Sequence, residues 1–411
     1  MTVQRVEKHL IKQNNPYYPM FCDFTHKSKN LYNHANFLVR NAFIKNGRWL
    51  HYGEMDKILK ADTEFDDYRQ MPTAQSAQQT LRLLEKNWKS FFAAVKDWSS
   101  HKDKYLGRPR LPKYKAKDGR YVLILTNQNA KIKDDVLCFP KAFRGFTLKP
   151  RFLQKENFVS FQQVRFIPCY KSFVIELVYN IEVPDKPLAD NGRYLGVDIG
   201  LDNLATIVSS TGDKPVAING KGLKSINKHY NKCVSHYHEV AKRMNGRDYT
   251  KRMDRLTLKR NHKIDDYMHK ASRYLVDYAL ENGFNTIVIG NNKNWKQKSP
   301  MGKKVNQSFV GIPHMRFIEM IRYKAHDAGL NVILTEESYT SGTSFLDGEK
   351  PVRANYDKKR RLHRGLFVSN NGIKINADVN GAYQIIRKVF PKVNADGIEG
   401  VALHPVRVNA A

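Results

Sequence analysis

The chain has 411 residues, 70 of them Lys or Arg and 39 Asp or Glu, for a formal net charge of +31; 41% are hydrophobic and 11% aromatic. That apolar content excludes a disordered chain, and no run approaches the ~18 apolar residues of a membrane span. The four cysteines are scattered without a CxxC pair, which argues against a disulfide framework or a Cys-rich zinc site.

At ~150 residues per domain the length predicts two or three domains. The opening MTVQRVEKHLIKQNN lacks the apolar run of a secretory signal, so a cytosolic protein is expected. Residues 1–10 read as one strand. From Lys27 to Ser99 the texture is helical, with Ala77, Leu81, Leu84, Trp88, Phe91 and Val95 forming an apolar stripe. Pro109 and Pro112 then break the helix within YLGRPRLPKYKAKDGR, which carries Arg108, Arg110, Lys113, Lys115 and Lys117. A proline-stiffened basic strip of this kind suits backbone phosphates, because each cation releases condensed counterions on binding. Residues 121–183 hold short β-rich runs parted by turns, predicting a small barrel or sandwich. Asn127 and Gln128, after the first run, have the chemistry for polar contact with bases and are equally ordinary turn residues. PDKPLADNG (184–192) reads as a hinge.

Beyond the hinge, strands alternate with helices. RYLGVDIGLDNLATIVSSTG supplies two strands, and residues 221–270 form a basic helical stretch with 14 Lys/Arg against 5 Asp/Glu. NTIVIG is a buried strand, a helix is expected around His314–Ala328, then the strand NVILTEE and finally INADVNGAYQIIRKVF. Such alternation predicts an α/β layer fold with a mainly parallel sheet. The net charge points to a polyanionic partner, of which nucleic acid is the commonest.

Against that cationic background, carboxylates collect at strand ends. Asp198 lies in the apolar Leu195–Gly200 strand, where a charge is costly unless a cation neutralises it. Asp378 begins a helix among small neighbours, and Glu336 and Glu337 follow the strand Val332–Thr335. Three carboxylates meeting at one end of a sheet would hold two Mg²⁺ ions for in-line phosphodiester displacement. Asp202 is assigned to loop or capping duty.

The blocks GVDIGLDN, TIVIGNNKNWKQ, IPHMRFIEMIRYKA, TEESYTSGTSFLD, HRGLF and INADVNGAYQIIRKVFP occur in the order found in TnpB proteins of bacterial insertion sequences. The likeness runs back through NLYNHANFLVRNAF, QSAQQTLRLLEKNWKSFF and PRLPKYK, and forward to GIEGVALHPVRV, so the chain resembles that family over nearly its whole length. The resemblance implies an RNA-guided DNA nuclease related to miniature type V CRISPR effectors. It implies α, β and α/β parts: a wedge β-barrel from residues 1–10 and 120–185, a helical recognition lobe at 11–119, and an RNase H-like RuvC domain at 190–411. A target-nucleic-acid-binding insertion would fall at about 340–370. It further implies a structured guide RNA, a DNA motif beside a double-stranded target, a guide–target heteroduplex, one protein per guide, and a bacterial cytosolic, nucleoid-associated location. Asp198 matches the first catalytic Asp of the family and Asp378 the last, with Mg²⁺ expected and Mn²⁺ an alternative.

Two departures stand out. The catalytic Glu commonly follows the second RuvC strand, but TIVIG here continues Gly290-Asn291-Asn292. A branch of the family looks similar here and recruits its Glu from the next strand. Glu337, two residues before Tyr339-Thr340-Ser341, is the first choice and Glu336 the second; only one of the pair should face the metals, because adjacent side chains along a strand point to opposite faces. The insertion usually carries two Cys pairs, whereas Ser341-Gly342-Thr343-Ser344 stands at the first of them, so no zinc is expected. His363 and Arg364 then read as surface or phosphate contacts. Two other functions share the cationic features: a nuclease-inactive RNA-guided DNA-binding repressor, and an unguided RuvC-like transposase or resolvase. The metal cluster discriminates the first, and co-purifying RNA the second.

Overall fold

The computed structural model describes residues 1–292, 310–363, 365–393, 398 and 402–410, and divides into two units, Met1–Glu182 and Val183–Ala411.

In the first unit the apolar alternation of the opening residues makes a strand, Thr2–Lys12 (β1). Three helices follow, Tyr18–Asn46 (α1), Tyr52–Ala61 (α2) and Ala74–Ser100 (α3). The predicted stripe is the reason α3 packs: Ala77, Leu81, Leu84 and Trp88 are fully buried. Thr73 caps its N-terminus by accepting from the Ser76 amide at 3.0 Å. Beyond the basic strip come Leu123–Thr126 (β2), Lys131–Lys133 (β3), Val136–Cys138 (β4), Thr147–Leu148 (β5), Phe158–Cys169 (β6) and Ser172–Glu182 (β7). The main sheet has the order β1-β7-β6-β2, and β3-β4-β5 form a second, small sheet. Both β1 and β2 are edges, so the described ladder is an open sheet, where the sequence predicted a small barrel or sandwich. What covers it is a helix: Phe21 of α1 packs its ring 5.0 Å from Phe146 and Phe166 and 5.7 Å from Phe173.

The second unit is built on the strands Tyr194–Ile199 (β8), Asn203–Ser209 (β9), Val216–Asn219 (β10), Thr286–Gly290 (β11), Asn331–Thr335 (β12) and Val406–Val408 (β16), in the order β12-β11-β8-β9-β10-β16. The β12–β11, β11–β8 and β10–β16 pairs are parallel as expected, but β9 runs antiparallel to both neighbours. The three residues Gly200–Asp202 are too short for a crossover and can close only a hairpin. The helices Lys221–Asn245 (α4), Lys251–Glu281 (α5) and His314–Asp327 (α6) join these strands, with α5 and α6 supplying Met268, Leu275, Phe317 and Ile321 to the core. No helix among the described residues is long and apolar enough to cross a membrane.

Three short strands, Arg361–His363 (β13), Leu366–Val368 (β14) and Lys374–Asn376 (β15), form an antiparallel sheet that feeds directly into the last helix, Ala377–Val389 (α7). Helix α7 lies on β8 so closely that a Cβ on Gly196 would collide with the Ala382 carbonyl and Ile386. One side of α7, spaced at helical steps, staples the preceding segment. Asn380 donates to Thr343 O at 2.8 Å and accepts from Phe345 N at 3.0 Å; Gln384 donates to Glu349 O and Arg387 to Phe345 O, both at 3.0 Å.

Candidate active site and basic surfaces

Asp198 is the penultimate residue of β8, at the end of the sheet where β11 and β12 also finish. It is sunk deep in protein while part of its surface stays open. Burial pushes its carboxyl well above the usual range, the charges of Glu337 and Asp378 push the same way, and Arg361 pulls against them. Asp378 enters on the first turn of α7, whose partial positive charge favours a carboxylate. Asn376 caps that turn, accepting from the Asp378 and Val379 amides at 3.0 and 3.2 Å. One turn further on, a Cβ at Gly381 would sit 3.1 Å from Asp198 Oδ2, so a small residue keeps the space between the two acids clear.

Glu337 lies two residues past β12. Its backbone and side chain are both held by Asn292: Glu337 N donates to Asn292 Oδ1 at 3.0 Å, and Asn292 Nδ2 donates to Glu337 Oε2 at 3.2 Å. Thr340 closes the turn with its hydroxyl on Glu337 O at 2.8 Å. The other carboxylate oxygen, Oε1, is buried with no hydrogen-bond partner in the described structure. Burial lifts the Glu337 carboxyl to about 7, with Lys388 pulling it back. Glu336 is exposed, and its backbone carbonyl accepts from Lys388 Nζ at 2.8 Å. Gly290 explains how Glu337 fits, since a Cβ there would come within 2.5 Å of Glu337 Oε1 and of Ile385 Cδ1.

Three residues of the pocket carry no weight in the sequence reading. Asn203, at the start of β9, donates to Asp378 Oδ2 at 2.9 Å and accepts from Arg407 at 3.2 Å. Arg361, on β13, stands 3.7 Å from Asp378 Oδ1. Asn292 holds Glu337. Two of them lie in blocks already singled out, Asn203 in GVDIGLDN and Asn292 in TIVIGNNKNWKQ, but each looks like an ordinary turn residue. Asp202 is tied to Lys224 at 2.5 Å and its carbonyl accepts from Gly220 N, in keeping with a loop role.

The donor set is all oxygen, which suits a hard cation such as Mg²⁺, and the partnerless Glu337 Oε1 is the kind of atom a cation would satisfy. Among the described residues no group of three or more His, Cys, Asp or Glu stands as a metal-holding cluster; the charges of Glu337 and Asp378 are nonetheless both felt at Asp198.

The raised Glu337 carboxyl gives a direct test. An acid whose folded pKa exceeds its unfolded value binds its proton more tightly when folded, so its ionisation destabilises. In the metal-free chain this contribution is absent below pH ~4.5 and grows through about 7 to on the order of 3 kcal/mol. The thermal midpoint should therefore rise as pH is lowered from 8 to 5, and Glu337→Gln should flatten that rise in a calorimetric pH series. Added Mg²⁺ should raise the wild-type midpoint more at pH 8 than at pH 6, because the cation competes with the proton.

The basic strip divides when its contacts are followed. Asn33 clamps both N and O of Lys115, at 2.8 and 2.9 Å, Asn36 and Arg40 donate to Pro112 O, and Lys29 donates to Lys117 O at 2.7 Å, so the strip is pinned along α1. Lys115 Nζ sits 4.8 and 4.7 Å from the Tyr32 and Tyr121 rings, which makes it a packing cation. Arg108, Arg110, Lys113 and Lys117 are exposed. Arg364 lies outside the described residues, and His363 is exposed, accepting from Gly365 N.

Asn127 and Gln128 line a cleft of about 480 Å³ whose walls are almost entirely amides, with Gln75, Gln78 and Gln79 from α3, Gln162 and Gln163 from β6, and Arg82 at the side. Gln75 Nε2 donates to Gln128 Oε1 at 2.7 Å and Asn127 Nδ2 to Phe161 O at 3.3 Å.

A curated relative, the CRISPR-associated endodeoxyribonuclease Cas12f1 of Sulfoacidibacillus thermotolerans, is 25% identical over 279 residues, covering 66% of this chain and 63% of that protein. The match thus spans less than two thirds of the relative. Among solved structures, a cryo-EM structure of a Cas12f1–sgRNA–target DNA complex aligns over 93% of this chain and 98% of its own at 14% identity and a TM-score of 0.37. A CRISPR–Cas12f ternary complex aligns over 89% and 80% at 13% identity, with the same TM-score. Residues 176–296 match the family OrfB_IS605, described as a probable transposase, and residues 314–385 match the TNB domain of Cas12f1-like proteins. The resemblance to TnpB read from the sequence is thereby borne out: residues 176–296 are similar to the OrfB_IS605 probable transposase and residues 314–385 to the Cas12f1-like TNB domain.

Proposed function

We propose that the protein is an RNA-guided DNA endonuclease that hydrolyses phosphodiester bonds at the Asp198–Glu337–Asp378 pocket. The observation that carries this reading is the electrostatic coupling of Asp198 on β8 to Glu337 after β12 and to Asp378 on α7, with one Glu337 oxygen left unsatisfied, in a chain of net charge +31. The relatedness to TnpB and to a Cas12f1 endodeoxyribonuclease supports it.

Asp198, Glu337 and Asp378 would hold divalent cations, Mg²⁺ or Mn²⁺, which when bound would activate a water and stabilise the leaving oxygen. The chain's own groups set up that chemistry. Asn292 fixes the Glu337 rotamer, Asn203 and the Asn376 cap fix Asp378, and Gly290 and Gly381 leave the pocket unfilled. Arg361 brings positive charge to the edge of the pocket, where a scissile phosphate would arrive. In this reading base pairing to a guide RNA selects the target, while the protein grips the heteroduplex backbone through exposed cations on the 105–120 strip and on α4 and α5. The first unit corresponds to the wedge and recognition lobe, and residues 340–370 to the target-nucleic-acid-binding insertion. The amide-lined cleft has the donors and acceptors to read base edges of a target-adjacent motif. The missing carboxylate at Gly290 was the argument for an inactive repressor; Glu337 standing against Gly290 weighs for the enzyme.

The test is to purify the full chain with whatever RNA it carries, sequence that RNA, and assay plasmid cleavage with Mg²⁺. A discrete RNA ending in a variable segment, with cutting directed by that segment, is the expected result. Tight target binding without cutting would replace the enzyme by a repressor, and absence of RNA would replace it by an unguided recombinase. Glu336→Gln should leave the cutting rate within about twofold of wild type, since its carboxylate faces solvent.

A further inference from the structure

In the first unit a cleft of about 510 Å³ opens between α1, α3 and the proline-bearing strip, within the size range of small-ligand pockets. Its inner surface is apolar. Phe43 and Phe91 meet edge to face with ring centres 6.5 Å apart, Phe43 rests 5.5 Å from the buried Trp88, and Leu111 completes the floor. Its rim is cationic: Arg108, Arg110 and Lys113 are exposed and have no acidic partner among the described residues. The wall is rigid before anything binds. Pro109 and Pro112 fix the strip's backbone, and Asn36 and Arg40 hold Pro112 O at 3.0 and 2.9 Å, so a ligand would meet little ordering cost.

A phosphate backbone alone would use the rim and waste the aromatic floor; an apolar ligand would leave three cations unmatched. We propose that this cleft holds one unpaired nucleotide of the bound RNA, its base against Phe43 and Phe91 and its flanking phosphates on Arg108, Arg110 and Lys113. Aromatic floors with cationic rims are how single strands are gripped independently of sequence. RNA rather than displaced DNA is the occupant because, in the guide reading, RNA is bound whether or not a target is present, and a rim of three exposed cations, unpaired among the described residues, is matched throughout only by a strand that stays. This assignment rests on the guide-RNA reading above and adds to it the place where the RNA is unstacked.

The experiment uses the full chain with its co-purified RNA for ultraviolet crosslinking and peptide mass spectrometry, and the RNA-stripped chain for fluorescence anisotropy with short oligouridylate, the matching oligothymidylate and an RNA duplex. The expected crosslinks carry a nucleotide on the peptides holding Phe43, Phe91 or Pro109. Phe91→Ala should weaken oligouridylate binding by about tenfold at every salt concentration without changing the salt slope. Arg110→Gln should instead flatten the slope by ~0.7. Thermal midpoints check that Phe91→Ala remains folded, and Arg110→Gln, on the exposed rim, gives an independent reading if it does not. RNA that co-purifies but crosslinks elsewhere, or single-strand binding indifferent to both variants, overturns the cleft and leaves the guide reading standing. Crosslinks on these peptides that appear only when target DNA is added, and that carry deoxynucleotides, overturn the assignment to RNA. Absence of any co-purified RNA overturns both.

Discussion

Asp198→Ala is expected to lower Mg²⁺-dependent DNA cutting by ~10³-fold or more while leaving the bound RNA in place. Losing a metal-holding carboxylate removes several kcal/mol of transition-state stabilisation, and each 1.36 kcal/mol is tenfold in rate. Glu337→Gln should fall nearly as far, since the amide keeps the shape and the Asn292 contact but removes the charge. The same substitutions should make the metal-free chain more stable, not less. Asp198 is held among two other acids in a buried setting that raises its carboxyl well above the ordinary range. Above its unfolded pKa it therefore works against folding, by the sign argument given for Glu337. Asp198→Asn should raise the thermal midpoint at pH 8 and change it little near pH 4. Activity lost with stability gained is the signature of a site whose strain serves function; activity and stability lost together would mark Asp198 as a structural residue and remove the nuclease reading.

The parts of this site visible in the sequence are those in which chemistry and local pattern coincide. Asp198 stands out because a charge interrupts an apolar strand, and Asp378 because an acid among small residues opens a helix. Helix α3 was legible from its stripe, and Trp88 is indeed fully buried. What the sequence leaves open depends on distant partners. Alternation along a strand cannot choose between Glu336 and Glu337 once both lie beyond Thr335, where strand geometry has ended. The choice follows from Asn292, 45 residues away in the chain. Lys115 reads as one cation among five until Tyr32 and Tyr121 appear on either side of it. Arg361 sits in a run of basic residues whose members are indistinguishable until β13 brings that one toward Asp378. The open edge of the first sheet has the same origin, because nothing in the β-rich runs announces that a helix, Phe21 foremost, will cover them.

Gly290→Ala is expected to cost about 10²-fold in cutting with little loss of stability, although it adds only one uncharged methyl group. The added Cβ would fall 2.5 Å from Glu337 Oε1 and 2.6 Å from its Cγ, and 2.5 Å from Ile385 Cδ1. All are atoms of side chains that can turn aside, so the fold has an inexpensive escape. The active site does not, since displacing a catalytic carboxylate by about an ångström is enough to cost two orders of magnitude. The register explains why these two residues compete. Gly290 pairs with Thr335 across the parallel β11–β12 ladder, and Glu337 reaches back from two residues further along the neighbouring strand. A carboxylate borne at 290 and one borne at 337 would therefore aim at the same volume. It follows that Glu337→Gly alone should be inactive, and that adding Gly290→Glu to it should restore part of the activity by supplying the acid from β11. Gly290→Glu in the presence of Glu337 should be worse than Gly290→Ala, because it adds a third buried negative charge beside Asp198. Plasmid cleavage rates for these four variants at saturating Mg²⁺ decide the matter. If the double variant stays at the level of Glu337→Gly while binding its RNA normally, the two positions do not share a site and the placement of the catalytic acid on Glu337 fails.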